Sequence, residues 1–404
     1  TCFLRHRGEV LLCRRADDAS TYPGRWAAVS GYVEEADPEA SARREISEET
    51  GIVDPTLVRV GEPFSVEDPD IATQWTVHPF LFEAPDRTLE LTPEHASCEW
   101  ASPTAILDRE TVPDLWRSYE RVAPTVETVR TDRTHGAAGI SVRALEVLRD
   151  GAAVVRSKDL PFEEVTDLAK RLVDARPSMV VLLNRVNRVM VGASTASDVL
   201  EAAMAGIERA CEVDQEAASA TIDLLSGARI LTLSRSGTVL AALQQGAPDL
   251  VIVAESRPAR EGTRVAELLA ERGAPVAVCT DAAVAHVLVE HDVDVVLVGA
   301  DAIGPNGTVV NKTGTRGAAL AADYAGIPVH VVAATDKVSP VSNLSLEEGN
   351  PTAVYDGPAP VEVLNPTFDL TPPDLVSTVI TERGPMDPKA IDTVAAEHAA
   401  RRNW

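Results

Sequence analysis

The sequence predicts an α/β protein in two modules: short strands around one acidic helix, then a helical stretch leading into a doubly wound parallel sheet. Three observations carry this. The motif Arg44-Glu45-Ile46-Ser47-Glu48-Glu49-Thr50-Gly51 lies among short apolar runs near the start of the chain. Residues 136 to about 225 are rich in Ala, Leu, Val and Glu at helical spacing, as at Val142, Leu145 and Leu148. Beyond them, near-continuous Val/Ile/Leu runs alternate with amphipathic segments, the pattern of a parallel sheet covered on both faces.

Taken in order, the chain opens without Met inside an expected strand at residues 1–4, and further residues are expected upstream. The apolar runs 10–13 and 79–82 are fit for buried strands. Between them Pro38 suits the first turn of a helix and Gly51 its C-terminal cap. The first module is placed at 1–108. Residues 109–134, interrupted by Pro113 and Pro124, are expected to connect it to the rest. A helical subdomain is placed at 135–225 and the parallel sheet at 226–404. The expected sheet strands are 229–233, 250–254, 275–278, 293–298 and 327–332, with helices near 238–245, 262–271, 282–290 and 316–324.

Composition narrows the class of protein. The 404 residues carry a formal net charge of −25, and lysine occurs only at 158, 170, 312, 337 and 389. Such an acidic, lysine-poor chain suits a halophilic setting, where salt screens self-repulsion. It disfavours direct binding to nucleic acid, which needs a basic surface. The five cysteines are odd in number and scattered, which argues against a disulfide framework and a zinc site and favours a cytoplasmic location. No apolar run reaches membrane-spanning length and no signal peptide is visible, so no membrane partner is expected.

On a helix, Glu45, Glu48 and Glu49 fall at i, i+3 and i+4 and share one face. Three adjacent like charges repel, and a hard divalent cation held through oxygen would remove that penalty; Mg²⁺ or Mn²⁺ fits best. The stretch from Gly31 to Ile52 closely resembles the Nudix box, with Pro23-Gly24-Arg25-Trp26 before it and Glu94-His95 followed by Trp100 after it. The resemblance implies an α/β/α sandwich with a mixed sheet and cleavage of a nucleoside diphosphate linked to another group. It implies metal-holding and catalytic roles for Glu45, Glu48 and Glu49, and it places His95 near the cleft. The loop between Gly31 and Arg44 is one residue shorter than the usual spacing. Asp37 is in register counted from Gly31 only. Glu35, in register from neither end, is carried as a further candidate metal ligand.

In an open parallel sheet the ligand sits outside the carboxyl ends of the strands. The residues there are Ser234-Arg235-Ser236-Gly237, Glu255-Ser256-Arg257, Thr280-Asp281, Gly299-Ala300-Asp301 and Thr335-Asp336-Lys337, with Asn311-Lys312 opening a helix. Hydroxyls, helix starts and lysines converging at one edge suit a phosphorylated ligand. These stretches resemble the alpha/beta/delta subunit family of translation initiation factor 2B, which includes ribose-1,5-bisphosphate and methylthioribose-1-phosphate isomerases. The resemblance implies phosphate binding through Gly136, Arg176, Ser236, Asn311, Lys312 and Lys337, a catalytic role for Asp301, a Rossmann-like sheet, and a homo-oligomer formed through this module; Ser234 and Arg257, at the same strand ends, are carried as further ligand-binding candidates. The family's isomerases use a cysteine where this chain has Ser234, a far weaker base.

The expectation is therefore a metal-dependent pyrophosphohydrolase of a nucleotide-derived small molecule, fused to a module that binds a sugar phosphate or nucleotide. Cleavage of a ribose-containing dinucleotide would yield a ribose phosphate, the ligand class that suits the second module. Two alternatives stand beside it: a non-hydrolytic nucleotide sensor or translation initiation regulator, favoured by the shortened loop, and a ribose-1,5-bisphosphate isomerase-like enzyme, favoured by Asp301 and opposed by Ser234.

Overall fold

The computed structural model describes residues 1–33, 37–68, 73–90, 92 and 94–404. Two compact units emerge: residues 1–128 with 143–169 and 194–207, and residues 129–142 with 170–193 and 208–404.

The first unit is built on strands β1 (Cys2–His6), β2 (Glu9–Arg15), β3 (Trp26–Ala27), β4 (Thr56–Val60), β7 (Phe80–Glu83) and β8 (His95–Ala101), with β5 (Phe64–Asp68) and β6 (Thr73–Val77) forming a separate hairpin. The main sheet runs β3-β2-β1-β7-β4, with β8 also paired to β2. Strands β1 and β7 are parallel and the other pairs antiparallel, so the sheet is mixed as expected. Side chains alternate across a strand, and successive apolar residues therefore serve opposite faces. Leu4, Leu11 and Phe82 pack with Ile46 of the acidic helix on one face. Phe3, Leu12 and Leu81 pack with Leu115, Tyr119 and Val122 on the other. The last three come from the stretch expected as a connection, in which Leu115–Glu120 and Val126–Thr131 are helical.

The acidic helix α1 spans Pro38–Thr50. Asp37 caps its start by accepting from the backbone N–H groups of Glu39 and Ala40, and Gly51 ends it at φ 72°, donating its N–H to the Ser47 carbonyl. A side chain at 51 would be held in the left-handed region, and its Cβ would sit 2.8 Å from Glu90 Cβ. Gly51→Ala is expected to cost about 1–2 kcal/mol of stability, read as a lowered urea midpoint at unchanged slope.

One covalent feature departs from the sequence reading. Cys13 on β2 and Cys98 on β8 stand directly opposite one another and are joined as a disulfide. Their sequence separation of 85 gave no spacing signal; strand register brings them together.

The second unit carries β9 (Arg229–Leu233), β10 (Leu250–Ala254), β11 (Val276–Cys279), β12 (Val295–Val298), β15 (Val329–Val332), β17 (Thr378–Thr381) and β18 (Gly384–Met386) in the order β11-β10-β9-β12-β15-β17-β18. All neighbours are parallel except the β17–β18 pair. The helices Gly237–Gln245, Glu261–Glu271, Val284–Glu290 and Thr315–Ala325 lie between the strands, as the alternating pattern predicts. Strand order reverses between β9 and β12, which makes their carboxyl ends the expected ligand crevice. A small antiparallel sheet of β13 (Ala302–Ile303), β14 (Val309–Lys312) and β16 (Phe368–Thr371) follows β12 and was not anticipated. The expected helical stretch is observed as Ala137–Ser157, Glu163–Ala175, Val180–Met190, Ala196–Ser219 and Ile222–Leu225.

Candidate active site and ligand cavity

In the first unit a cavity of about 380 Å³ opens beside the acidic helix, and Gly31, Tyr32, Glu45, Tyr22 and Trp75 are among its walls. The Glu45 carboxyl lies against Gly31 so closely that a Cβ there would fall 2.1 Å from its carboxyl carbon. Burial raises the Glu45 pKa, the charge of Glu49 raises it further, and Arg44 opposes both. Glu49 is itself buried and lies 2.8 Å from His95 Nε2. A carboxyl whose charge is disfavoured by burial and by a neighbouring carboxylate, seated in a cradle that only glycine leaves open, fits a hard divalent cation. Glu48 differs: its side chain is 65% exposed and lies 4.0 Å from Arg44, against 19% for Glu45 and 7% for Glu49. The shared face predicted for the three carboxylates therefore splits into a buried Glu49, a partly buried Glu45 and an exposed Glu48. Asp37 acts as the helix cap, and Glu35 lies outside the described residues.

Sequence reasoning missed the aromatic wall. Tyr22 donates to Asp68 (2.6 Å) and accepts from Trp75 Nε1 (3.2 Å), while Tyr32 packs on Trp75 with ring centroids 5.8 Å apart. Burial and the Asp68 carboxylate push the Tyr22 hydroxyl pKa up. Tyr32 directly follows Gly31, the one signal that could have marked it.

The second unit holds a larger cavity, about 820 Å³, at the carboxyl ends of β9 and β12. Gly136, Arg176, Ser234, Ser236, Asp301, Asn311 and Lys312 line it together. Ser236 caps the helix Gly237–Gln245 by accepting from Val239 N–H, and Gly136 precedes the helix Ala137–Ser157. Two helix starts thus border the cavity. A third does not serve: Asp369 already accepts from the N–H groups of Gly314 and Arg316 at the start of Thr315–Ala325. Asp132, another wall residue, accepts from the N–H groups of Thr134 and His135 and pairs with His135 Nδ1 at 2.7 Å. Burial opposes its charge, but these donors pull its pKa down to about 2.

Within the cavity Lys312 pairs with Glu261 at 2.7 Å, and Arg176 donates to the carbonyls of Val129 and Asp132. Burial raises the pKa of Asp301, with Lys337 and Lys312 opposing. Two candidates stand apart from the walls. Lys337 is buried and donates to the Ala300 carbonyl, so it supports the Asp301 loop from behind. Arg257 is exposed, and its backbone N–H is held by Asp281. Arg133, Lys170 and Arg402 also line the cavity and were not singled out from the sequence; the scarcity of lysine was a usable signal for Lys170.

Comparison with known proteins agrees with both resemblances. Residues 133–388 match the initiation factor 2 subunit family and residues 1–122 match the NUDIX domain. The chain is 33% identical over 300 residues to a ribose 1,5-bisphosphate isomerase of Haloferax volcanii, covering 68% of this chain and 91% of that protein. It is 29% identical over 328 residues to a methylthioribose-1-phosphate isomerase of Exiguobacterium sibiricum, covering 72% and 93%. Among solved structures, translation initiation factor eIF-2B of Pyrococcus horikoshii superimposes with a TM-score of 0.57 at 29% identity, over 66% of this chain and 97% of that one. The chain belongs to the initiation factor 2 subunit family and carries a NUDIX domain ahead of that family's region.

Proposed function

We propose that the first unit is a divalent-cation-dependent pyrophosphohydrolase of a nucleoside diphosphate derivative, and that the second binds a sugar phosphate or nucleotide. The observation that carries the first reading is the Glu45 carboxyl seated against Gly31, close enough to Glu49 to be perturbed by its charge, in a cavity walled by Tyr22, Tyr32 and Trp75. Glu45 and Glu49 would hold Mg²⁺ or Mn²⁺, and Glu48 would join from the rim. The ion would polarise the diphosphate. His95 orients Glu49, and the aromatic wall offers a stacking face for a base.

For the second unit, two helix starts with Arg176 and Lys312 supply the electrostatics for phosphate. Ser234 stands where the family's isomerases use a cysteine, so binding without efficient isomerisation is proposed. A specific observation favours the isomerase alternative: Asp301 lines the cavity with a raised pKa, which suits a group that exchanges protons. Self-association through this unit is proposed by analogy with the tetrameric eIF2B complex among the solved relatives.

The test is release of products from a panel of nucleoside diphosphate derivatives by the full chain with Mg²⁺ in high salt, alongside incubation with ribose 1,5-bisphosphate. Hydrolysis of a panel member without conversion of the sugar to ribulose 1,5-bisphosphate is expected. Sugar conversion at enzyme-like rates would assign isomerase chemistry to the second unit. Absence of hydrolysis by the folded chain would favour the sensor reading.

A further inference from the structure

The Cys13–Cys98 pair lies next to the acidic site. With His95 the two cysteines form a group whose ligand atoms all lie within 4.8 Å of one another. His95 also reaches the acidic site: its side chain is 4% exposed and its Nε2 lies 2.8 Å from a Glu49 carboxylate oxygen. A carboxylate only accepts, so Nε2 carries the hydrogen, and in the Nε2–H tautomer Nδ1 presents a lone pair. His95 Nδ1 is buried and has no hydrogen-bond partner among the described residues. A disulfide has no hydrogen to give to it, whereas a thiol has.

We propose that Cys13 and Cys98 are a reversible dithiol–disulfide pair that adjusts, through His95, how firmly Glu49 holds a divalent cation. The readout rests on the metal-site reading above. Oxidation requires a peroxide. Cys98 is half-buried and Cys13 fully buried, so Cys98 is reached first. Its sulfur attacks one peroxide oxygen, the O–O bond breaks, and a sulfenic acid and one water result. The Cys13 sulfur then attacks the sulfenic sulfur; the S–S bond forms, the S–O bond breaks, and a second water leaves. Two electrons pass from the two thiols to one hydrogen peroxide. A small dithiol reverses the change by exchange and is itself left as a disulfide. In the dithiol form an S–H donates to His95 Nδ1, the ring is held from both sides, and Glu49 is fixed for the cation.

The experiment treats the full chain with dithiothreitol or with hydrogen peroxide, maps alkylated peptides, and titrates Mn²⁺ into both forms. A Cys13–Cys98 linked peptide is expected only after peroxide, and Mn²⁺ is expected to bind about tenfold more tightly to the dithiol form. Cys98→Ser keeps a donor hydroxyl and cannot form the bond, so it should hold the tight value under both treatments. No linked peptide after peroxide would overturn the proposal, as would equal Mn²⁺ affinity in the two forms. Stoichiometric zinc in the dithiol form, lost in Cys98→Ser, would replace the redox pair with a Cys-His-Cys metal centre. If neither form binds Mn²⁺, the metal-site reading and the coupling both fail, and the linked peptide alone decides the redox pair.

Discussion

Glu45→Gln is expected to lower kcat/KM for the hydrolysed substrate by more than about a hundredfold, or about 2.7 kcal/mol of transition-state stabilisation, while Glu48→Gln costs less than about tenfold. The two residues lie three apart on one helix, and sequence alone ranks them equally. Their surroundings separate them. Glu45 lines the cavity against Gly31 and is perturbed by Glu49, whereas Glu48 is mostly in solvent beside Arg44. An exposed carboxylate is screened and conformationally free, so its charge acts weakly at the site. Glu49→Gln should resemble Glu45→Gln, with the added loss of a carboxylate partner for His95. Gly31→Ala is a control of a different kind. Gly31 does not sit in the left-handed region, so alanine is compatible with the backbone, but its Cβ displaces the Glu45 carboxyl. Activity and Mn²⁺ affinity should fall while the thermal midpoint stays close to wild type. A Glu48→Gln defect as deep as that of Glu45→Gln would mean the helix end rearranges on binding the cation.

What could be read from the sequence followed the range of the interactions. Helix α1 was legible from end to end because its cap, its Pro38 and its terminal Gly51 are local signals. The strands β9, β10 and β12 were legible because strands buried on both faces read as unbroken apolar runs. The short strands β13, β14 and β16 were not, because Ala302–Ile303 and Phe368–Thr371 find partners only through long-range pairing with Val309–Lys312. The same limit applies at the sites. That Glu45 and Glu49 share a face follows from helical spacing. That Glu48 is exposed, that Cys13 meets Cys98, and that Lys337 turns toward the Ala300 carbonyl depend on packing that spacing does not encode.

Asp336→Asn should be the most destabilising single change in the second unit, at about 3–5 kcal/mol near neutral pH. Asp336 is buried, accepts from Arg185 Nε at 2.8 Å, and pairs also with Arg188. Arg185 is only 1% exposed, so neutralising Asp336 leaves its buried guanidinium to the more distant carboxylate of Asp214, at 4.0 Å. Burial by itself would raise the Asp336 pKa, but the two arginines overcome it and hold the carboxyl well below the usual carboxylate range. The sign of the pH dependence follows. A folded-state pKa below the unfolded value gives stability that is full above about pH 4 and is lost as pH falls toward the folded value. The wild-type advantage over Asp336→Asn should therefore be complete at pH 7 and shrink below about pH 4, as read by urea unfolding across that range. A pH-independent gap would assign the loss to packing instead of charge. The effect should also reach the ligand cavity. Asn184 donates to the carbonyls of Asp336 and Val338, and the adjoining Lys337 donates to Ala300, the residue before Asp301. The turn that anchors the buried pair thus also braces the Asp301 loop, and weakening one loosens the other.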